Sequence, residues 1–423
     1  MTIQRSALST ILALTLVGVV SETAFSQEWT RFRGPNGSGV GDAPPMPAKF
    51  DEADFEWIVD LPGTGHSSPV LWGEKLFLTV ADKEEGKHKV VCFDSISGEQ
   101  HWEWSEAFQE HHKHNFNDFA SSTPVVDERA VYVTWTSGTE TRALALDHAG
   151  KELWAHAWQG FSSDHGSAAS PILVDGTLIL HTDNVEARKS YIYGINPADG
   201  TELWARERVT PAEDQKHITS YSTPVISNCG GRACVVFLST NHGWLGLDPK
   251  NGEEIWSHED EYTFRSVGSI AENDGVVFAT MGSGGAGKQS AALKLNDSGK
   301  PEVMYSLGIK DGLSYVPTPI LHDGLLYLWG DNGVVTCRDA ATGEEIYKER
   351  AGGGQFFSSP VLVDDKIYGA SRDGLVVVIK TGRAFEKLAE NKLDSGINAT
   401  PAIANGRMFI RTDTHLMSLK GGS

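Results

Sequence analysis

The densest group of side chains able to bind a metal is the run His111-His112-Lys113-His114-Asn115. Imidazole is a common ligand of zinc and other transition metals. The run has the spacing of neither a strand face nor a helix face, and the Lys113 ammonium repels a cation. We therefore expect structural or solvated histidines at His111, His112 and His114, with a metal site as the alternative.

A glycine-rich run, from Gly282 to Lys288, matches most of a phosphate-binding loop. In such loops a Ser or Thr follows the lysine to hold magnesium, and a helix begins there. Here Gln289 follows, and residues 291–295 alternate as a strand does, so the pattern predicts a hairpin. The chain also has no Gly-x-Ser-x-Gly elbow and no His-Glu-x-x-His helix, so hydrolase chemistry lacks a starting residue.

Two of the four cysteines, Cys229 and Cys234, flank the turn-like sequence Gly230-Gly231-Arg232-Ala233. Such a turn places them opposite each other across a hairpin, and the Cα atoms of a disulfide lie within about 7 Å of each other. We expect a disulfide between them. Cys92 and Cys337 lie in equivalent apolar strands, which indicates buried free thiols.

A recurring hairpin provides the framework for these groups. It is clearest from Leu245 to Trp256, where an apolar strand leads to an Asp, a turn glycine and, four residues later, a Trp. The pattern returns at Asp94, Gly98 and Trp102; at Asp147, Gly150 and Trp154; at Asn196, Gly200 and Trp204; and at Asp339, Gly343 and Tyr347. One such hairpin cannot bury its apolar face, so its recurrence predicts that neighbouring copies stack.

Each repeat opens with Ser or Thr followed by Pro. These pairs are Ser68-Pro69, Thr123-Pro124, Ser170-Pro171, Thr223-Pro224, Thr318-Pro319, Ser359-Pro360 and Thr400-Pro401, with Ser269-Ile270 in the remaining place. Eight units at a mean spacing of about 47 residues match four-stranded propeller blades. Proline is tolerated where an innermost strand starts, and we expect the hydroxyl before it to satisfy a local backbone group.

The last unit lacks its outer strand, because the chain stops at Ser423. An isolated strand from Phe55 to Leu61, with Trp57 in the place of the repeat aromatic, is the missing piece. Pairing the two removes two exposed sheet edges. The sequence therefore predicts an all-β, eight-bladed β-propeller of four-stranded antiparallel blades, whose last blade is closed by an N-terminal strand.

The charge balance excludes one class of partner. The chain carries 36 Lys and Arg against 56 Asp and Glu, a formal net charge of −20. This charge repels phosphate backbones, so nucleic acid is not an expected partner. The 45 glycines and 17 prolines fit the frequent turns of many short strands.

The N-terminal residues 1–26 have the pattern of a signal peptide. Arg5 precedes an apolar run from Leu12 to Val20, and Ala24-Phe25-Ser26 forms a small-x-small cleavage site. We expect export to the periplasm or beyond, without a transmembrane anchor; an uncleaved signal anchor is the alternative. Residues 27–54 then form an arm, and residues 55–423 form one propeller.

Residues three or four positions before each inner strand are expected to ring one mouth of the central channel. This group comprises His66, Tyr221, Ser266, Tyr315, Phe357 and Asn398, with Arg265 adjacent and His165 in the corresponding loop of another unit. Pockets combine apolar walls with a few polar groups, so we predict that His66, His165, Tyr221, Arg265, Tyr315 and Asn398 bind a ligand. The alternative is that they only fill the channel.

The hairpins, the Ser/Thr-Pro openings and the count of eight resemble the pyrroloquinoline-quinone-like (PQQ-like) repeat propellers, over residues 55–420. That superfamily includes quinoprotein alcohol dehydrogenases and the outer-membrane assembly scaffold BamB. The chain also resembles secreted propellers that open with Trp-x-x-Phe-Arg-Gly-Pro-x-Gly, here Trp29 to Gly37, and continue as Leu61 to Pro69.

The resemblance implies two functions. The dehydrogenases use adjacent cysteines, PQQ, calcium ligands and an Asp base, whereas this chain has no Cys-Cys pair and no Cys-x-x-Cys-His haem site. We therefore expect an exported non-catalytic scaffold for a protein, peptide or polysaccharide partner. A PQQ- and calcium-dependent dehydrogenase is the first alternative, and a small-ligand or metal sensor that uses the histidine run is the second.

Overall fold

The structure, a computed structural model, confirms the predicted architecture. It describes residues 28–137, 140–159, 161–185, 187–209, 219–240, 242–259, 262–296 and 300–422. Eight sheets of antiparallel strands surround one axis, and the only helical segments described are single 3-10 turns at Pro35–Gly37, Glu52–Asp54 and Ile309–Asp311. The fold is therefore an all-β, eight-bladed propeller.

Each blade contains four strands, in order from the axis outwards. Blade 1 consists of Val70–Trp72, Lys75–Asp82, Lys87–Asp94 and Gln100–Ala107; blade 2 of Val125–Val126, Ala130–Ser137, Glu140–Asp147 and Glu152–Gln159; blade 3 of Ile172–Val174, Thr177–Asn184, Lys189–Ile195 and Glu202–Val209; blade 4 of Val225–Asn228, Ala233–Ser239, Gly243–Leu247 and Glu254–His258. Blade 5 consists of Ala271–Asn273, Val276–Ser283, Ala286–Leu295 and Pro301–Gly308; blade 6 of Ile320–His322, Leu325–Trp329, Val334–Asp339 and Glu345–Arg350; blade 7 of Val361–Val363, Lys366–Ala370, Leu375–Lys380 and Lys387–Lys392; blade 8 of Ala402–Ala404, Arg407–Arg411, His415–Lys420 and Phe55–Asp60.

The two ends of the chain meet in blade 8, as predicted. Phe55–Asp60 pairs antiparallel with His415–Lys420, and Trp57 lies opposite Ser418. The outer position of blade 8 is thus filled from the N-terminal side of the propeller. This pairing closes the ring and covers the edge of His415–Lys420, the third strand of blade 8.

The apolar core lies between the blades rather than in one central mass. One cluster joins Phe77 and Val90 of blade 1 to Val131 and Leu144 of blade 2, and comparable clusters lie at the other blade junctions. Both faces of a sheet are covered in this way. The middle strands of each blade are consequently almost continuous runs of buried residues.

The repeat aromatic and the repeat glycine belong to one contact across a blade junction. The Trp102 ring of blade 1 covers Gly150 of blade 2, where φ is +83° and a Cβ atom would lie 2.7 Å from the indole. The Trp102 indole N–H also donates to the His148 carbonyl in that turn, at 3.1 Å. Equivalent contacts join Trp57 to Gly98, Trp154 to Gly200, Trp204 to Gly252 and Tyr305 to Gly343. Glycine is therefore required both for the positive φ angle and for the close approach of the aromatic ring.

The Ser and Thr residues that open the blades form a closed belt around the axis. The backbone N–H of each donates to the side-chain oxygen of the corresponding residue in the next blade, over 2.9–3.3 Å. The belt runs from Ser68 through Thr123, Ser170, Thr223, Ser269, Thr318, Ser359 and Thr400 back to Ser68. All eight side chains are buried. The expectation of a local backbone partner was therefore wrong, because the donor belongs to the preceding blade.

The N-terminal arm enters the central channel. Glu28 lies by the turn at Gly73, and Val40–Gly41 pairs parallel with the inner strand of blade 7. Between these points the Leu71 N–H donates to the Trp29 carbonyl and the Val126 N–H donates to the Thr30 carbonyl. The arm thus satisfies inner-strand backbone groups that would otherwise face the channel.

Two arginines fix the tip of this arm at the level of the belt. Arg33 is fully buried and donates to the carbonyl groups of Thr318, Pro319 and Pro360, at 3.2, 3.0 and 3.2 Å. Arg31 donates to the Pro224 carbonyl on another side. Because burial disfavours the charged form, it lowers the pKa of both guanidinium groups to about 9. Both remain charged at neutral pH, and carbonyl oxygens accept from both.

The remaining sequence predictions concern the signal peptide and the cysteines. The predicted signal peptide, residues 1–26, lies outside the described residues. In the described part of the chain, no helix has the length and hydrophobicity needed to cross a bilayer. Cys229 and Cys234 form a disulfide with a Cα separation of 5.8 Å, and Cys92 and Cys337 are buried free thiols.

The belt predicts a specific effect of substituting Thr123 by Val. The change keeps the shape of the side chain but removes the acceptor of the buried Ser68 N–H, so we expect a loss of about 1–3 kcal/mol in unfolding free energy. Thr123→Ser keeps the oxygen and is the matched control. Denaturant unfolding measures both, and equal losses in the two variants would contradict the role of the hydroxyl.

The arm predicts a second effect, at Arg33. Arg33→Met removes every donor from the carbonyl groups that it satisfies, and Arg33→Lys keeps the charge but not the planar set of donors. We expect both variants to release the arm, with Met the more severe. Limited proteolysis followed by mass spectrometry of residues 28–54 detects release. Arg232→Met, at a side chain that is 57% exposed, is the control, and an arm equally protected in all four proteins would refute the interpretation.

Candidate functional site

The open end of the channel is a funnel of about 580 Å³. Its walls are loops that lead from the outer strand of one blade to the inner strand of the next, together with turns at Gly284-Gly285 and Asp331-Asn332. The Phe32 side chain of the arm and belt residues such as Thr318 also line it. The arm therefore closes the axis below, and the loops leave one concave site above.

All six residues predicted to bind a ligand line this funnel. They are His66, His165, Tyr221, Arg265, Tyr315 and Asn398. Phe357 lines it too, whereas Ser266 is fully buried and lies outside the lining. The placement follows from the repeat, since equivalent loop positions recur at the same end of each blade. Binding itself remains a prediction.

The histidine run lies in a segment, residues 111–117, that we call the strap because it connects opposite sides of the funnel mouth. On one side the Asn117 amide donates to the carbonyl groups of His165 and Ser167, at 2.8 and 3.2 Å. On the other side the Phe116 ring lies 5.5 Å from the Phe357 ring, and the Arg372 guanidinium covers Phe116 at 4.2 Å. The end of the strap at Phe116 and Asn117 thus contacts both sides of the mouth.

The three histidines of the strap have different partners. The His111 ring packs on Phe119, the His112 Nε2 lies 3.2 Å from the Asp164 carbonyl, and His114 stacks on His165 at 5.2 Å. Among the described residues, no three His, Cys, Asp or Glu side chains are grouped as metal ligands are. The arrangement favours packing and ligand contact over a metal centre.

Arg265 is the cation of the funnel wall. Its backbone is fixed by two hydrogen bonds with Gly282, of 3.1 and 2.9 Å. Burial raises the pKa of the Tyr221 phenol to about 12, and the Arg265 charge opposes this rise. Burial likewise raises the pKa of Tyr315, again against Arg265. Both phenols therefore stay protonated beside a guanidinium, which forms a set of hydrogen-bond donors.

Asp331 is a carboxyl group on the same wall. Its oxygens accept the backbone N–H groups of Tyr315, at 2.7 Å, and Val316, at 3.2 Å. Burial raises its pKa to about 6, although these hydrogen bonds oppose the shift. Asp331 thus holds the loop that carries Tyr315, and its charge changes near pH 6.

His66 is a neutral member of the site. Burial lowers its pKa to about 4, with the charges of Arg411, Arg372 and Lys113 adding to the shift and Asp118 opposing it. At neutral pH the ring is uncharged. It therefore supplies a hydrogen-bonding edge and an aromatic face rather than a positive charge.

Sequence reasoning missed several lining residues. Phe116 and Asn117 belong to the strap, whose path across the mouth depends on contacts far away in sequence. Asp331 and Asn332 lie in a turn between the second and third strands of blade 6, and Phe32 reaches the funnel from the arm. The turn had a detectable signal, because such turns lie at the same end of a blade as the loops to the next blade.

Comparison with known proteins identifies a family. A family model described as outer membrane protein assembly factor BamB matches residues 86–349. Comparison with curated protein sequences gave no significant match.

Several solved structures share the fold. BamB from Moraxella catarrhalis is 15% identical with a TM-score of 0.64, and the alignment covers 86% of this chain and 97% of that one. A europium-containing methanol dehydrogenase is 11% identical with a TM-score of 0.70, and the alignment covers 91% of this chain and 89% of that one. A quinohemoprotein alcohol dehydrogenase from Comamonas testosteroni is 14% identical with a TM-score of 0.67, and the alignment covers 94% of this chain and 81% of that one. At these identities the likeness concerns the fold alone.

The funnel residues do not fit the PQQ and calcium pair of the dehydrogenases. Calcium takes six to eight oxygen ligands, several of them carboxylates. Among the described lining residues the one carboxylate is Asp331, and its oxygens already accept backbone N–H groups. Cys92 and Cys337 are buried in blades 1 and 6, away from the funnel and from each other.

The pKa of Asp331 predicts how stability depends on pH. A carboxyl whose pKa rises from 3.8 to about 6 on folding stabilises the protein below pH 4, and that contribution is lost as the pH rises through 6. Asp331→Asn lacks this titration. We expect its unfolding free energy relative to the unsubstituted protein to increase between pH 4 and 7, by a limit of about 3 kcal/mol. A pH-independent difference in denaturant unfolding would contradict the burial argument.

Proposed function

The chain belongs to the PQQ-like propeller family of the outer membrane protein assembly factor BamB, related also to the quinoprotein dehydrogenases, and we propose that it is a non-catalytic member that binds a partner in its funnel. The partner is a protein, peptide or polysaccharide. The observation that carries the proposal is the asymmetry of the axis: the arm fills one end, and the other end is a pre-formed site lined by aromatic, imidazole and amide groups.

The side chains support binding rather than catalysis. A general acid or base works best when its pKa lies near the operating pH and it reaches the substrate. The pKa of His66, about 4, lies well below a neutral operating pH. The Asp331 oxygens accept hydrogen bonds from backbone N–H groups. A nucleophile with an adjacent base is absent from the described lining. What remains is a rigid concave surface with hydrogen-bonding groups around apolar walls, which is the usual composition of a binding pocket.

The supporting framework also favours a scaffold. The belt and the blade-junction aromatics fix the bases of the loops, and Asn117 and Phe116 hold the strap against both sides of the mouth. A site that changes little on binding loses little conformational entropy. We propose that residues 1–26 direct export, so the protein works in the periplasm or outside the cell.

A blocking variant tests the use of the funnel. Ala168 lies on its wall, so Ala168→Trp fills the site without altering the belt, whereas Ser97→Trp adds the same group to an exposed hairpin turn at the opposite end. On arrays of glycans and peptides, we expect the unsubstituted protein and Ser97→Trp to bind the same probes and Ala168→Trp to lose them. Equal binding by all three would place recognition elsewhere and refute the proposal.

A cofactor titration tests the absence of catalysis. We expect PQQ with calcium to give no saturable change in absorbance, and no dye reduction with alcohols or sugars as substrates. Saturable binding together with turnover would make the protein a quinoprotein dehydrogenase and overturn the scaffold proposal.

A further inference from the structure

The funnel has the chemistry of a site for an acidic sugar, an inference that rests on the proposed binding function. We infer that the Arg265 guanidinium binds the carboxylate of a uronate saccharide and that the aromatic side chains next to it receive a sugar ring. Four features support the inference. Arg265 has no carboxylate partner among the described residues, aromatic rings form a continuous series beside it, the polar lining groups both donate and accept, and the arm covers inner strand edges.

Arg265 is available to an anion. It lines the funnel, is partly exposed, and forms no ion pair with any described carboxylate. Arg33, in contrast, is fully buried among carbonyl groups. The Arg265 side chain hydrogen-bonds to the Tyr315 phenol, and the phenols of Tyr221 and Tyr315 add O–H donors beside the guanidinium. Such a group of donors binds a planar carboxylate with charge-assisted hydrogen bonds.

An unbroken series of rings begins at one of these phenols. Tyr221 lies 5.9 Å from His165, His165 lies 5.2 Å from His114, His114 lies 5.1 Å from Phe116, and Phe116 lies 5.5 Å from Phe357. We call this series the aromatic arc. A pyranose ring presents a flat face of C–H groups that packs on aromatic rings. The arc therefore provides apolar surface for a sugar whose carboxylate is at Arg265.

The remaining polar groups suit hydroxyl groups better than phosphate. The lining includes Ser121, Asn332, Gln355 and Asn398, whose side chains carry both donors and acceptors. Part of this capacity is used within the protein, because the Ser121 hydroxyl donates to Asn117 and the Asn398 amide bonds with Arg372 and Asp413. Each hydroxyl of a sugar is also both, so the two sets match. A phosphate or sulfate only accepts, and the amide oxygens would repel it.

The inner strands argue against an extended peptide. Peptides that bind propellers by strand addition need free backbone groups on a sheet edge. In this channel the Leu71, Val126 and Leu362 N–H groups already donate to carbonyl groups of the arm, and the Ile226 N–H donates to the Asn36 side chain. The arm therefore occupies four of the eight inner edges that such a peptide would use.

The charged groups near Arg265 predict how the affinity for an acidic sugar depends on pH. Asp331 is the anion on the same wall, and His66, His114 and His165 are the imidazoles of the lining. An ionised Asp331 repels a ligand carboxylate, so protonation near pH 6 should strengthen binding. Asp331→Asn should strengthen it at pH 7 and flatten this part of the pH profile.

Calorimetric titration of the full mature chain with trigalacturonate, and with its methyl ester as the neutral counterpart, tests the inference. We expect Arg265→Gln to weaken binding of the acid at least about tenfold and to leave binding of the ester unchanged. Arg265→Lys should lie between, and Arg383→Gln, at a side chain that is 65% exposed, should behave as the unsubstituted protein. Thermal unfolding checks that each variant is folded.

Three results would overturn the inference: no binding of the acid, equal affinity for acid and ester, or an unchanged affinity of Arg265→Gln for the acid. Preferential binding of PQQ or of a peptide with a free C-terminal carboxylate would also overturn it. The proposed function fails separately, because it requires the Ala168→Trp variant to lose binding of every probe. If uronates fail but Ala168→Trp still abolishes binding of other probes, the funnel remains a binding site for a different ligand.

Discussion

The hydrogen bond from the backbone N–H of one blade-opening Ser or Thr to the hydroxyl of the next is the contact on which the rest of the propeller depends. Eight sheets that pack side by side through apolar contacts have no intrinsic reason to stop at one radius, because the hydrophobic effect is non-directional. The belt supplies that direction. Each bond is buried, so a blade displaced along or away from the axis would leave an N–H group and a hydroxyl group unpaired.

The belt also determines what can lie above and below it. Proline follows most belt residues, and its carbonyl becomes an acceptor at the axis; Arg31 and Arg33 of the arm use the carbonyl groups of Pro224, Pro319 and Pro360. Two buried cations are thereby tolerated without carboxylate partners among the described residues. Because the tip of the arm lies at the level of the belt and fills the axis there, the loops beyond the belt enclose a funnel rather than an open channel.

Local patterns in the sequence predicted the repeated parts of the molecule well. The Asp, Gly and Trp hairpins, the count of eight and the closing strand at Trp57 depend on turn chemistry and period, which a sequence shows directly. The six residues predicted to bind a ligand all line the funnel because equivalent loop positions recur at one end of every blade, whereas Ser266 of the predicted mouth is buried outside it. What escaped prediction depends on contacts between distant segments: the partner of each belt hydroxyl, the path of the strap and the entry of Arg33 into the axis.

The difference between repeated and non-repeated residues also bears on function. Solved structures of an assembly factor and of a dehydrogenase share the blade framework with this chain, so the framework alone does not choose between their functions. The choice lies in non-repeated residues, and in this chain those are Arg265, which pairs with no described carboxylate, two protonated phenols and a carboxyl whose oxygens support a loop. A catalytic site needs groups that gain or lose protons in contact with substrate, whereas the two phenols stay protonated at neutral pH and the Asp331 oxygens accept backbone N–H groups. Under the proposed function, these non-repeated residues recognise the ligand, and the repeated residues of the framework keep them in place.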